Sequence, residues 1–144
     1  FFAAEIIYRR YETRQISEMG GIRYQSPKFT SMFLILVLAS VALPTTFNFI
    51  GEFTVLYSLS QINIWFAILG GTTIILGAYY MLKMFQHVML GETNTKLFAD
   101  VTFNEGLTLV IIIAVLFFFG LYPKPIMTLI TPSLENILVQ INRN

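Results

Sequence analysis

From Phe29 to Gly51 the chain carries no charge for 23 consecutive residues, and the next residue is Glu52. About 20 predominantly apolar residues suffice for a helix to cross the hydrocarbon core of a bilayer. Backbone in lipid must satisfy its own hydrogen bonds, so a spanning segment is a helix or part of a closed barrel. The run is continuously apolar rather than alternating, which selects the helix. Its length constrains the fold more than any other feature, and two residues disturb it. Pro44 stands eight positions before Glu52, and the chain turns apolar again after the carboxylate.

The rest of the chain agrees with a membrane class. Only 12 % of residues are charged and 56 % are hydrophobic, with a mean hydropathy of +0.70. Soluble domains carry about 25 % charged residues, and half that share does not cover a water-facing surface. The partner implied is the lipid bilayer. A net charge of +1 without a basic, aromatic-interleaved stripe implies no nucleic acid. Absence of cysteine excludes disulfides, thiolate sites and cysteine-ligated clusters from the chain. One histidine and scattered acids give no metal-ligand spacing.

Residues 1–11 read as the last turns of a helix. The chain opens "FFAAEIIYRR", without Met, a basic start or a small-residue cleavage site. It is expected to be the C-terminal piece of a longer protein. A polar stretch with Gly20-Gly21 and Pro27 follows. Residues 29–59 are too long for one straight span at about 1.5 Å per residue, and Pro44 removes an amide donor and disfavours helix at Leu43. A broken helix is expected, interrupted between about Leu43 and Phe49. A second helix is expected over 64–89 and a third over 107–122, with an amphipathic, interfacial tail over 126–144. The fold expected is all-α, a polytopic transmembrane helix bundle. It comprises the end of one helix plus three spans, the first of them broken.

Charge sets the orientation. Arg9, Arg10, Arg14, Arg23 and Lys28 lie in or beside the first loop, and Lys83 and Lys96 flank the third. With three spans these loops share a side, and the other side keeps Lys124 and Arg143. Lys/Arg-rich short loops stay cytoplasmic. The first and third loops are therefore expected in the cytoplasm, and the C-terminus on the periplasmic or outer side.

Glu52 is the leading candidate for chemistry. Charge at membrane depth costs at least ~2.5–3.5 kcal/mol and marks ion pathways by default. The bland reading puts Glu52 at a helix end facing headgroups. Pro44 would open the helix beside it, and irregular backbone at that depth survives where it is buried or lines water. Thr45, Thr46 and Asn48 can hold water or cap the freed groups, whereas the bland reading of Pro44 is a packing kink. Lys83 and His87, four apart, share a helix face. They read as interfacial snorkelling groups or as a proton uptake point on the cytoplasmic side. Glu5 is expected to pair with Arg9, four residues on.

The stretches "YRRYETRQISEMGG", "LPTTFNFIGEFTVL" and "FFFGLYPKPI" resemble, in that order, the C-terminal third of the antiporter-like M subunits of respiratory complex I, called subunit 4 in mitochondria. That family shows Tyr-x-Arg-x-x-Thr-Arg, Leu-Pro-Gly-Thr-x-x-Phe-x-Gly-Glu-Phe and Gly-x-Tyr-Pro-x-Pro-Ile. The resemblance covers nearly the whole chain and implies a good deal. The family has fourteen transmembrane helices in two inverted repeats with flanking helices. This chain would supply the end of helix 11 and helices 12 to 14. Helix 12 is broken, and the acid that Glu52 matches ends a central row of charged residues as the outer proton-exchange group. NADH, flavin, iron–sulfur clusters and quinone belong to other subunits of the NADH:quinone oxidoreductase, and no cofactor to this chain. The neighbours implied are the antiporter-like subunits L and N, in a bacterial inner membrane. The function implied is proton translocation as part of a translocase, with the isolated piece inactive.

Two departures stand out: the family's glycine after the proline is Thr45 here, and Glu5 stands where relatives often have a small residue. Two other readings remain open at this point. A subunit of a multi-subunit sodium/proton antiporter would usually carry Lys at the position of Glu52. A purely structural membrane spacer would leave Glu52 at lipid or interface.

Overall fold

The computed structural model describes residues 1–92 and 97–141, with side chains up to Leu134. Lys96 and Arg143, counted in the charge bias, lie outside the described residues. The described residues form seven α-helices and a 3-10 turn at Ile16–Glu18, with no strand among them. The helices are α1 (Phe2–Tyr11), α2 (Ile22–Gln25), α3 (Pro27–Ser40), α4 (Phe47–Ile62), α5 (Ile64–Leu90), α6 (Phe103–Leu121) and α7 (Lys124–Ile141). The chain is a helical membrane bundle. Its α5 and α6 are each long and apolar enough to cross a bilayer.

Local sequence explains the ends. Pro27 opens α3 at a position whose amide would be unpaired anyway. Thr102 and Glu105 form a capping box at the start of α6, each side chain taking the other's backbone N–H. That box starts α6 at Phe103, a turn earlier than the apolar run from Leu107. Only Asn63 separates α4 from α5, and its side chain accepts from Trp65 N at 2.9 Å. Tyr122 and Pro123 end α6. The tail is the helix α7, with Pro132 inside it.

The packed core sits at one end of the bundle, beside the first loop. Ala3, Ile6, Ile7 and Tyr11 bury one face of α1. Phe29, Phe33 and Val37 follow one another at helical spacing on α3, and Phe85, Val88 and Met89 close the end of α5. Ring contacts link Tyr11–Phe98, Phe98–Phe29, Phe29–Phe33 and Phe33–Phe85 at 5.6–6.1 Å between centroids. Such pairs add about 0.5–1.5 kcal/mol each beyond the area they bury. The other end differs. No residue of α4 is buried. Phe53, Tyr57, Trp65, Leu69 and Ile75 are exposed, an apolar surface suited to lipid or to further transmembrane helices.

Polar groups lock the packed end. Arg10 Nη2 meets Glu105 Oε2 at 2.8 Å and the Asp100 carbonyl at 3.2 Å, and its guanidinium lies 5.0 Å from the Phe98 ring centre. Asp100 Oδ1 accepts from Ser26 Oγ (2.5 Å), Val101 N (2.8 Å) and Phe29 N (3.3 Å). A loop carboxylate thus caps the N-terminus of α3, where the helix dipole favours negative charge. Burial pushes the Asp100 carboxyl up, but these donors and the nearby Lys28 outweigh it and hold it below 3.8. The Glu5–Arg9 pair is also present, at 3.0 Å on the exposed side of α1.

Candidate functional site

Helix α3 stops at Ser40 and α4 starts at Phe47, so six residues, 41–46, separate them. The stop has a local cause. Ala42 adopts the left-handed conformation, with φ of 57°. Leu43 N reaches back to Leu38 O at 3.1 Å. This is the six-to-one bond of a Schellman ending, with alanine where glycine is usual. Pro44 then follows, without an amide to extend the ladder. Thr45 is the second residue of left-handed backbone, at φ 87°. A β-branched side chain there costs roughly 1–3 kcal/mol, and the surroundings must hold it. It occupies the position for which the resembling family uses glycine.

The freed groups find partners. Thr46, fully buried, donates Oγ1 to Leu43 O at 2.7 Å and its amide to the same carbonyl at 3.0 Å. Ser40 Oγ donates to Val37 O at 2.7 Å. Asn48 Nδ2 crosses the interruption and donates to Ala39 O at 3.1 Å. Helix α6 closes the outside through Gly120. A Cβ on that glycine would sit 2.6–2.7 Å from the carbonyl carbons of Thr46 and Thr45, and nearer still to the Thr45 oxygen. Phe47 and Phe119 pack edge to face beside it, at 6.4 Å.

Glu52 lies one turn beyond Asn48 on α4 and is half-buried. Both line an open groove of about 640 Å³ between the end of α3, α4 and α5. Its walls are mainly apolar, with Leu56 on α4 and Gly70, Ile74 and Gly77 on α5. Ser40, Thr73 and Tyr80 supply its other polar side chains. Among the described residues no ion pair includes Glu52. Glu52, Asn48 and Ser40 therefore line one groove, and Pro44 lies outside its lining. Lys83 and His87 do not join them. Both are exposed near the far end of α5, where Lys83 Nζ lies 3.4 Å from Tyr79 Oη.

A threonine three residues before a glutamate is the local signal that finds the cap on α6. Nothing local signalled the pairing of Arg10 with Glu105, 95 residues apart, or the approach of Gly120 to Thr45. The family described as "NADH:quinone oxidoreductase/Mrp antiporter, TM" matches residues 1–77, more than half of the 144. The chain belongs to that family. The matched region holds the interruption, Asn48 and Glu52.

Relatives of this antiporter family extend the match. NADH-quinone oxidoreductase subunit M of Rickettsia typhi is 38 % identical over 143 residues, covering 97 % of this chain and 29 % of the relative. Subunit M of Rhodobacter capsulatus is 32 % identical, covering 96 % of this chain and 28 % of the relative. The chain thus spans less than a third of the length of these relatives. Among solved structures, a chain of respiratory complex I from Thermus thermophilus with bound NADH superposes with a TM-score of 0.74 at 29 % identity. That match covers 84 % of this chain and 26 % of the other.

Proposed function

We propose that this chain forms the outer proton-exchange part of an antiporter-like subunit M in a proton-translocating NADH:quinone oxidoreductase. Glu52 is the group that takes up and releases the proton. The observation that carries the reading is the half-buried Glu52 carboxylate in an apolar groove beside an interrupted helix. An acid that faced headgroups would need no such surroundings. The interruption at Pro44 leaves the polar Asn48 and Ser40 on the same groove, where water can reach the carboxyl. The redox groups reside in other subunits in this reading. Moving one charge against the membrane potential costs about 2.3 kcal/mol per 100 mV, so the drive comes from elsewhere in the assembly. The neighbours are the antiporter-like subunits L and N. Lys83 and His87, on the opposite end of α5, suit a cytoplasmic uptake point.

The test is proton uptake per NADH oxidised, in vesicles carrying equal amounts of assembled complex. Glu52→Gln keeps shape and polarity but cannot release a proton. It is expected to remove this subunit's share of the proton uptake per NADH oxidised and to leave assembly intact. Glu52→Asp should retain part of the flux. Parental pumping by Glu52→Gln would return Glu52 to a structural role.

The orientation has its own test. The basic first loop is expected in the cytoplasm and the start of α7 outside. Gln15 and Lys124 are both exposed. Gln15→Cys and Lys124→Cys should react with an impermeant maleimide from opposite sides of sealed vesicles. Labelling from one common side would overturn the arrangement.

The family description also covers antiporters. A sodium/proton antiporter subunit would show Na⁺-dependent proton flux without NADH, and the same vesicles separate the two.

A further inference from the structure

We infer that Asn48 is a positioning residue for Glu52, a strut between α3 and α4 that sets where the side chain at position 52 faces. The functional half of this inference rests on the proton-exchange reading above; the geometric half does not.

Where α3 ends, its last carbonyls lose their helical donors. Val37 O is met by Val41 N and Ser40 Oγ, and Leu38 O by Val41 N and Leu43 N. These donors all lie close in sequence. Ala39 O is met by the Asn48 amide, nine residues on and already in the first turn of α4. The bond therefore joins two helices and not two parts of one turn. It fixes both the spacing between the helix ends and the rotation of α4 about its axis. Asn48 and Glu52 are four apart, so one helix face carries both. A rotation that breaks the Asn48 bond swings Glu52 by the same angle.

Asn48 adds a directional bond to contacts that are otherwise apolar. Residues 41–46 contain two strained left-handed positions, Ala42 and Thr45, which store a tendency to relax. The other contacts of α4, Phe47 on Phe119 and Leu56 and Leu59 beside Gly70, are apolar and only partly buried, and they carry no directional bond. The Thr46 hydroxyl bonds within the interruption, to Leu43, and leaves α3 unlinked to α4. A side-chain amide suits the task because it donates without titrating.

The experiment uses the full protein in its membrane assembly, with Glu52→Cys as reporter and a water-soluble maleimide as probe. Asn48→Leu keeps the volume and removes the donor, whereas Asn48→Gln keeps an amide on a longer stem. Loss of the strut is expected to loosen the groove, so Asn48→Leu should speed labelling about fivefold, the population change one hydrogen bond can carry. Asn48→Gln should stay within about twofold of the parent. With Glu52 intact, Asn48→Leu should lower proton uptake per NADH oxidised, and Asn48→Gln should restore most of it. Where Asn48→Leu fails to assemble, Asn48→Ala takes its place with the same outcomes. Unchanged or slower labelling overturns the positioning role. Faster labelling with parental proton uptake supports the strut and counts against the proton role of Glu52 instead.

Discussion

Gly120→Ala is expected to lower the stability of the assembled protein by about 1–3 kcal/mol, the usual cost of overpacking, and Gly120→Val by more. The added Cβ would meet backbone, at 2.6–2.7 Å from the Thr46 and Thr45 carbonyl carbons. A rotamer change cannot relieve a contact with backbone. Either α6 retreats or residues 41–46 move, and Thr45 already holds a left-handed φ of 87°. The Phe47–Phe119 contact beside it would open as well. Gly71→Ala on α5 is the control, because a Cβ there meets nothing within 4 Å. Helix propensity alone then favours alanine, by roughly 0.8–1 kcal/mol. Thermal unfolding in mild detergent should separate the two variants, with Gly120→Ala less stable than the parent and Gly71→Ala equal or better. Equal losses would mean that the approach of α6 to the interruption is not tight.

Arg10→Met should be the most damaging change at the other end of the bundle. Only 14 % of the Arg10 side chain and 23 % of the Glu105 side chain are exposed. Water replaces little of what is lost. The substitution removes a 2.8 Å ion pair, a bond to the Asp100 carbonyl and the cation over Phe98. It strands Glu105, which keeps the Thr102 amide at 2.9 Å as a partner. Breaking a buried pair costs about 3–5 kcal/mol. Residual exposure lowers the expectation to about 2–3 kcal/mol. Arg9→Met removes a pair whose side chains are 72 % and 50 % exposed, and should change stability by less than about 1 kcal/mol. Adding Glu105→Gln to Arg10→Met should recover part of the loss, since a stranded anion costs more than a stranded amide. A double variant worse than Arg10→Met would count against the pair as the source of the effect.

These two regions show what sequence could and could not reveal. Membrane class followed from Phe29–Gly51 and the scarcity of charge, because bilayer thickness converts directly into a length of apolar chain. The pairing of Glu5 with Arg9 was legible, since helix geometry alone brings such residues together. The Arg10–Glu105 pair was not, because it joins α1 to α6 across 95 positions. Asp100 was hidden for the same reason, as a helix cap supplied from a distant loop. Nothing in the sequence marks Ser26, yet it is fully buried and bonded to that carboxylate. Within the site, Pro44 and Glu52 stood out by type. Gly120 did not, because a glycine in a phenylalanine-rich helix reads equally as lipid-facing or packed. Only the path of residues 41–46 decides between those readings.

The two ends of α4 are tethered unequally. Six residues link it to α3, and Asn63 alone links it to α5. The helix is therefore a lever with its pivot at Asn63. Any change in its tilt is smallest there and grows along the shaft. At about 1.5 Å per residue, Glu52 stands roughly 16 Å from the pivot and the end that Asn48 ties to α3 somewhat further. A tilt of a few degrees would carry the carboxyl about 1 Å, comparable to the difference between a hydrogen bond made and one lost. Placed near the long arm's tip, the Glu52 carboxyl is displaced further by a given tilt than any side chain nearer Asn63.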